Sequence, residues 1–219
     1  MAATDPVPRS PRPSADDTRR RIVAAALELF ADRSYEGAST RDIARRAEVS
    51  QPSLGYHFRS KEELWRAAVD SVFGELRSTM ADRLQGLRGV DDATQAELLI
   101  REFIAFSAAH PQLHRIITQE SKADGERMDW LVDRHVRPLY ETTTELFARL
   151  VDQGVLPDVP APYLYYVLTG AGPTIFVLAP ECRRLTGIDP LSEEAVQTHA
   201  DIVVDLLFGR REARVRRGG

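Results

Sequence analysis

The chain has 219 residues, 43% apolar and 28% charged, with a net charge of −4. That is long enough for a sizeable core and ordinary for a folded soluble protein. No apolar run approaches the roughly 18–20 residues of a membrane span, the opening MAATDPVPRSPRPSADD has no secretory apolar stretch, and the single Cys182 rules out an intrachain disulfide and fits a reducing cytoplasm.

Residues 1–15 are rich in Pro and Ser and read as a disordered arm. Arg9 and Arg12 could reach a minor groove, or the arm could be a plain tail. Ser14, Asp16 and Asp17 open a helix to about Ala31, with Ile22, Ala25, Ala26, Leu29 and Phe30 as its apolar stripe. Arg19, Arg20 and Arg21 cluster on its first turns, as a solvated face or a phosphate contact. Ser34 to Gly37 reads as a turn. Ser39 then precedes Ile43, Ala44 and Ala47 at helical spacing. Glu48-Val49-Ser50 interrupts that pattern, and Ser50 can cap a second short helix, Gln51 to about Phe58, that tolerates Pro52 in its first turn. This second helix has no acidic residue. Ser60 to Glu63 is a capping box before Leu64, Trp65, Ala68 and Val69. Helix, turn and an uncharged-to-basic helix form the pattern of a helix-turn-helix that enters a DNA major groove.

A long helix runs from Ser60 to about Leu84, and Gly86 to Asp92 breaks it. Asp92 and Gln95 cap the next helix, which His110-Pro111 ends. Leu113 to about Ser121 follows, then a hinge at Ala123 to Gly125. A helix from Met128 to Asp152 carries a kink or break at Pro138. After a loop to Pro162, Tyr163 to about Leu178 is nearly all apolar, Pro180 to Pro190 is a loop, and Ser192 to Phe208 is the last helix, ended by Gly209. The five arginines from Arg210 onward form a basic tail. The expected architecture is all-α: an arm (1–15), a DNA-binding helix-turn-helix domain (16–62), a helical body (63–209) and a tail (210–219). Charge divides the same way. Residues 1–66 hold 12 basic and 10 acidic side chains, residues 67–219 hold 17 and 23. That favours a DNA-facing N-terminal end and a body kept off phosphate.

Base edges fall to the start of the reading helix and phosphates to its ends. Gln51 suits adenine, Ser53 either kind of base, and Pro52 a thymine methyl. Tyr56 and His57 reach phosphate. Thr40 and Lys61 sit at helix starts where an anion is favoured. Ser50 either caps its helix or shares in the interface. His110 and His114, four residues apart, could supply two ligands of a metal site that needs a third, such as His135, or they simply flank the helix boundary that Pro111 makes there. No nucleophile–base motif, phosphate loop or metal signature argues for an enzyme or a cofactor.

Ile43-Ala44-Arg45-Arg46-Ala47-Glu48-Val49-Ser50, followed by Leu54, His57-Phe58 and Ser60-Lys61-Glu62-Glu63-Leu64, resembles the tetracycline-repressor-type (TetR) family of bacterial transcription regulators. Ala24 to Phe30, Tyr35-Glu36-Gly37 and Ser39-Thr40 extend the match over roughly residues 18–68. The resemblance implies a homodimeric, all-helical, two-domain repressor. Three N-terminal helices would bind a palindromic operator, and the body would bind a small-molecule effector. The last two helices would build a four-helix dimer interface, here with Val167, Thr174, Leu178, Val196, Ile202, Val203, Leu206 and Leu207. Candidates to line the effector pocket are Phe73, Phe103, Phe106, Ile117, Glu120, Trp130, Tyr140, Tyr166 and Phe176. Two positions depart from the family: Glu48 stands where Gly is frequent, and Gly55 where a DNA-contacting Tyr is common. An architectural DNA-binding dimer without an effector is the alternative, and it implies no pocket.

Overall fold

The computed structural model describes residues 14–122 and 124–209. The arm with Arg9 and Arg12, Ala123 and the tail from Arg210 lie outside the described residues. Eleven α-helices and no strands occur among the described residues. None of these helices is long and apolar enough to cross a membrane. The chain forms two compact units, one up to Ala68 and one from Val69.

The first unit holds α1 (Ala15–Gly37), α2 (Thr40–Arg46), α3 (Gln51–His57) and the start of α4 (Lys61–Gly86). Ser14 caps α1 through a full capping box with Asp17. The expected turn at Ser34 is a kink inside α1: Ser34 takes φ 63° and the helix resumes to Gly37. Its stripe (Ile22, Ala26, Phe30) is fully buried with Ile43, Leu64 and Trp65. Tyr35 stacks on Phe30 at 5.9 Å and meets Trp65 edge-on at 6.3 Å. Burying such side chains stabilises the unit by about 2–3 kcal/mol each. At the start of α4, Ser60 Oγ accepts from the Glu63 N–H (3.0 Å). The Glu63 carboxylate reaches back one residue beyond the box and accepts from the Arg59 N–H (2.8 Å).

The second unit holds the remainder of α4, then α5 (Asp92–Ala109), α6 (Pro111–Glu120), α7 (Glu126–Leu131), α8 (Arg137–Asp152), α9 (Ala161–Val177), α10 (Ala179–Thr186) and α11 (Glu193–Leu207). Asp91, not Asp92, caps α5 through the Thr94 N–H (3.0 Å), and the Gln95 side chain donates to the Leu87 and Val90 carbonyls instead. The break expected at Pro138 falls just upstream, as a π turn over Val132–Val136 in which the Arg137 N–H bonds to the Val132 carbonyl. Pro138 has no N–H to continue the i→i−4 ladder, so the extra residue is absorbed before it. The loop expected at Pro180 to Pro190 contains α10, closed by Gly187 in the left-handed region. Ala96, Ile100, Ile104, Phe147, Leu150, Leu164, Leu168, Val204 and Leu207 form the core.

Candidate functional site

In the first unit the two short helices meet at a tight turn. The Ala44 carbonyl accepts from the Val49 N–H (3.0 Å) and the Arg45 carbonyl from the Glu48 N–H (3.1 Å). That pair of bonds is a Schellman motif, which needs a left-handed residue at its corner. Glu48 is that residue, with φ 53°. Lacking a glycine there costs on the order of 1 kcal/mol. Arg21 from α1 offsets the cost: its guanidinium donates to the Ala47 carbonyl (2.5 Å) and the Glu48 carbonyl (3.3 Å) and pairs with the Glu48 carboxylate. Arg21 is therefore a clasp on the turn rather than part of a solvated run. Spacing alone could not separate it from Arg19, which lies over the Phe58 ring at 5.2 Å, or from Arg20, which pairs with Asp17.

Ser50 caps α3 by accepting from the Ser53 N–H at 3.2 Å. Leu54 anchors the helix in the core. Gln51, Pro52, Gly55 and Tyr56 face solvent, and Ser53 and His57 are half-buried. Tyr56 is 83% exposed, an aromatic ring in water, edge-on to His57 at 5.2 Å. Gln51 Nε2 donates to Thr40 Oγ1 at 3.1 Å. Lys61 Nζ lies 4.5 Å from the Tyr35 ring centroid and 3.4 Å from the Glu36 carbonyl. Thr40, Gln51, Gly55 and Lys61 also line one concavity beside α3. Arg45 and Arg46, whose role the sequence leaves open, pair with Asp42 and Glu28.

The second unit contains a half-enclosed cavity of about 830 Å3, lined by α4, α5, α6, α7, α8, α9 and the π turn. Phe73, Phe103, Ile117, Tyr140 and Tyr166 are among its walls, whereas Phe106, Glu120, Trp130 and Phe176 are not. Phe106 is buried and stacks on His110 at 4.2 Å. Glu120 is turned to Arg127 at 3.0 Å. Trp130 packs edge-on to His135 and Phe176 joins the core. All four sit on helices that do line the cavity, but on other faces of them. Spacing alone does not say which apolar face of a two-sided helix turns to a cavity.

Residues not anticipated include His114, Thr118, Lys122, Arg137, Tyr165 and Thr169. Ser107 Oγ donates to the Phe103 carbonyl (2.7 Å) and lies 3.0 Å from His114 Nε2. A hydroxyl has one proton to give, so Nε2 carries the imidazole proton and Ser107 accepts it. Burial pushes His114 down to about 4, so the ring is neutral near pH 7. Burial, helped by Tyr166 and Tyr140, pushes the Tyr165 hydroxyl up to about 12. His110 lies 3.4 Å from Glu75, and His135 contacts Arg77 and Asp70 at 3.0 Å each. The three histidines thus face three different sets of partners. Among the described residues no group of three His, Cys, Asp or Glu is placed to hold a metal.

Of the residues expected at a dimer seam, Val203 and Leu207 are buried in their own chain's core and Val196 packs against it. The last helix needs that face to cover α5, so it is not available to a second chain. Val167, Leu178 and Leu206 are 52%, 45% and 60% exposed, and Thr174 is also exposed. Tyr163, Leu185 and Ile188 are exposed as well.

Residues 22–68 match the bacterial regulatory proteins of the tetR family, and residues 94–207 match the tetracyclin repressor-like C-terminal domain. The chain belongs to the tetR family of bacterial regulatory proteins. It is 40% identical over 85 residues to the HTH-type transcriptional activator FasR of Mycolicibacterium smegmatis, covering 36% of this chain and 39% of that protein. It is 34% identical over 108 residues to the HTH-type transcriptional repressor KstR2 of Rhodococcus jostii, covering 45% and 50%. The chain thus spans half or less of the length of these curated relatives. Its fold is similar to that of AibR, solved with isovaleryl coenzyme A and operator DNA: TM-score 0.66, 19% identity, 87% of this chain and 98% of that one.

Proposed function

We propose that the protein is a sequence-specific DNA-binding transcription regulator, a homodimeric repressor that a small-molecule effector releases from a palindromic operator. Residues 16–62 are the DNA-binding domain, and residues 63–209 are the effector-binding and dimerisation body. The protein works in the cytoplasm, where the operator is. One observation carries the reading. The solvent face of α3 offers Gln51, Pro52 and Tyr56 with no acidic side chain on the helix, next to a Thr40 already bonded to Gln51. An exposed face without acids, joined to a neighbouring helix start, suits base edges flanked by phosphates. Gln51, Pro52 and Ser53 read bases; Thr40, Tyr56, His57 and Lys61 hold the backbone; Ser50 fixes the helix start.

A cavity of 830 Å3 in the second unit supports an effector and counts against an architectural dimer, which has no use for one. The AibR complex, solved with both a small molecule and operator DNA, supports the same pairing here. Phe103, Ile117, Tyr140 and Tyr166 are effector contacts in this reading, Val167 and Leu206 are dimer contacts, and Thr174 and Leu178, exposed but also on the cavity wall, lie where the two meet.

Selection from a random duplex library tests the function. A dimer reading successive major grooves enriches an inverted repeat with half-site centres about 34–36 Å apart, or a spacing that domain motion accommodates. Enrichment of no sequence, or only of sites without two-fold symmetry, overturns the proposal.

A further inference from the structure

We infer that the cavity takes an amphipathic carboxylate, its hydrocarbon body on the apolar floor and its anionic group turned to Lys122 and Arg137. This rests on reading the cavity as the effector site, and it adds the chemical class of the effector.

The lining carries the inference. Two of its side chains are basic, Lys122 and Arg137, and among the described residues no Asp or Glu lines it. The chain as a whole has 33 acidic side chains against 29 basic ones, so a wall free of acids runs against its composition. The nearby acids are engaged elsewhere. Glu120 is two residues from Lys122, yet its carboxylate faces Arg127 at 3.0 Å and its side chain is only 9% exposed. Asp133 bonds Arg137 at 2.9 and 3.2 Å. That pair is exposed on both sides, and an exposed pair of this kind is weak enough for an incoming anion to share the guanidinium.

The floor fixes which end of the ligand goes where. Phe73, Leu76, Leu113 and Leu131 are buried there. The polar side chains around them are neutral: His114 keeps its one proton on Nε2 for Ser107, and Tyr165 keeps its hydroxyl proton. A charge brought to this floor has no counter-charge, and an uncompensated buried charge is strongly disfavoured. The charged end therefore stays with the solvent-exposed Lys122 and Arg137. A cationic ligand finds no carboxylate on these walls, and a neutral one gains nothing from the two cations.

Three probes with one hydrocarbon body separate the cases: dodecanoate, dodecanol and dodecyltrimethylammonium, each titrated below its micelle threshold into the full chain at low salt. Calorimetry gives the affinity and thermal shift confirms stabilisation. Dodecanoate should bind about tenfold tighter than dodecanol, the ratio one charge-assisted contact supplies, and salt should erode the difference. The trimethylammonium should bind weakest. Lys122→Ala and Arg137→Ala, both at exposed positions that the core does not need, should each cut the dodecanoate preference about threefold and leave dodecanol unchanged. If dodecanol or the trimethylammonium binds as tightly as dodecanoate, or the preference survives in the double variant, the carboxylate assignment is overturned while the cavity remains an effector site. If none of the three stabilises the protein, the carboxylate assignment is overturned, while the effector reading still stands on the cavity itself.

Discussion

Gln51 donates from Nε2 to Thr40 Oγ1 across 3.1 Å, tying the first residue of α3 to the first residue of α2. In the proposed reading the two take different partners on DNA, a base edge and a phosphate. Their mutual bond holds the glutamine amide in one orientation before DNA arrives, which lowers the entropy lost on binding. Gln51→Ala should relax preference at one operator position by about 1–3 kcal/mol and leave nonspecific binding intact. Lys61→Ala should instead weaken all duplexes alike and lower the salt slope by about one. Titrations of specific and random duplexes at several salt concentrations separate the two. Equal effects on both kinds of DNA would sink the division of roles.

The turn between α2 and α3 gives a stability prediction. Glu48 at φ 53° occupies a glycine position, so Glu48→Gly should raise the unfolding free energy by about 1 kcal/mol. Arg21→Ala strips donors from the Ala47 and Glu48 carbonyls and should cost about 1–3 kcal/mol. Urea midpoints at constant slope measure both.

Gly55 faces solvent in mid-α3, and a Cβ added there meets nothing within 4 Å. Its backbone is helical, so Gly55→Ala should stabilise the helix by about 0.5–1 kcal/mol without a clash. Gly55→Tyr, which restores the family's common residue, should tighten operator binding. A gel-shift series over the wild type and both variants checks it. A Tyr variant that folds but binds more weakly would refute a backbone contact at this position.

Two histidines make the second unit acid-sensitive. Burial holds His114 at about 4, with the Ser107 hydroxyl and the Phe103 ring beside it. Burial also lowers His135 to about 4, reinforced by Arg77 and Arg134 and opposed by Asp70, among the rings of Phe73 and Trp130. Each has a folded pKa below its ordinary value of 6.5, so the unfolded chain binds the extra proton first. Stability is therefore complete above about pH 6.5 and falls from there toward about pH 4, by about 1.4 kcal/mol per pH unit for each titrating group. His114→Gln should flatten this slope by about half, measured as urea midpoints between pH 4 and 7. An unchanged slope would mean that His114 titrates normally.

The exposed apolar surface on α9, α10 and α11 predicts assembly. Leu206→Glu and Val167→Glu place charges on positions 60% and 52% exposed in the single chain, so neither should disturb the fold. Both should convert a dimer to monomers in sedimentation velocity, with unfolding free energy of the isolated chain changed by less than about 0.5 kcal/mol. A wild-type chain that sediments as a monomer would remove the dimer from the proposal.

Local chemistry was legible in the residues themselves. Ser14, Ser39, Ser50 and Ser192 announce helix starts because a short side-chain oxygen satisfies a nearby backbone N–H, and each caps its helix. The helix-turn-helix could be read for the same reason: short-range spacing encodes caps, a turn and one buried stripe. Which apolar face points where was decided only by tertiary packing. Residues of α9 serve three environments at once, with Leu168 in the core, Thr169 on the cavity wall and Val167 in solvent, and an almost wholly apolar helix has no polar face to tell them apart. Phe176, a cavity candidate by its residue type, is core; His114, a candidate metal ligand by its spacing from His110, and Arg137, which no pattern in the sequence marks, are cavity walls. Arg21 belonged to a run of three arginines until the fold brought Glu48 to it from 27 positions away. Caps and turns are settled by atoms a few residues apart; a cavity and a clasp are settled by helices distant in the chain, whose meeting no single stretch of residues contains.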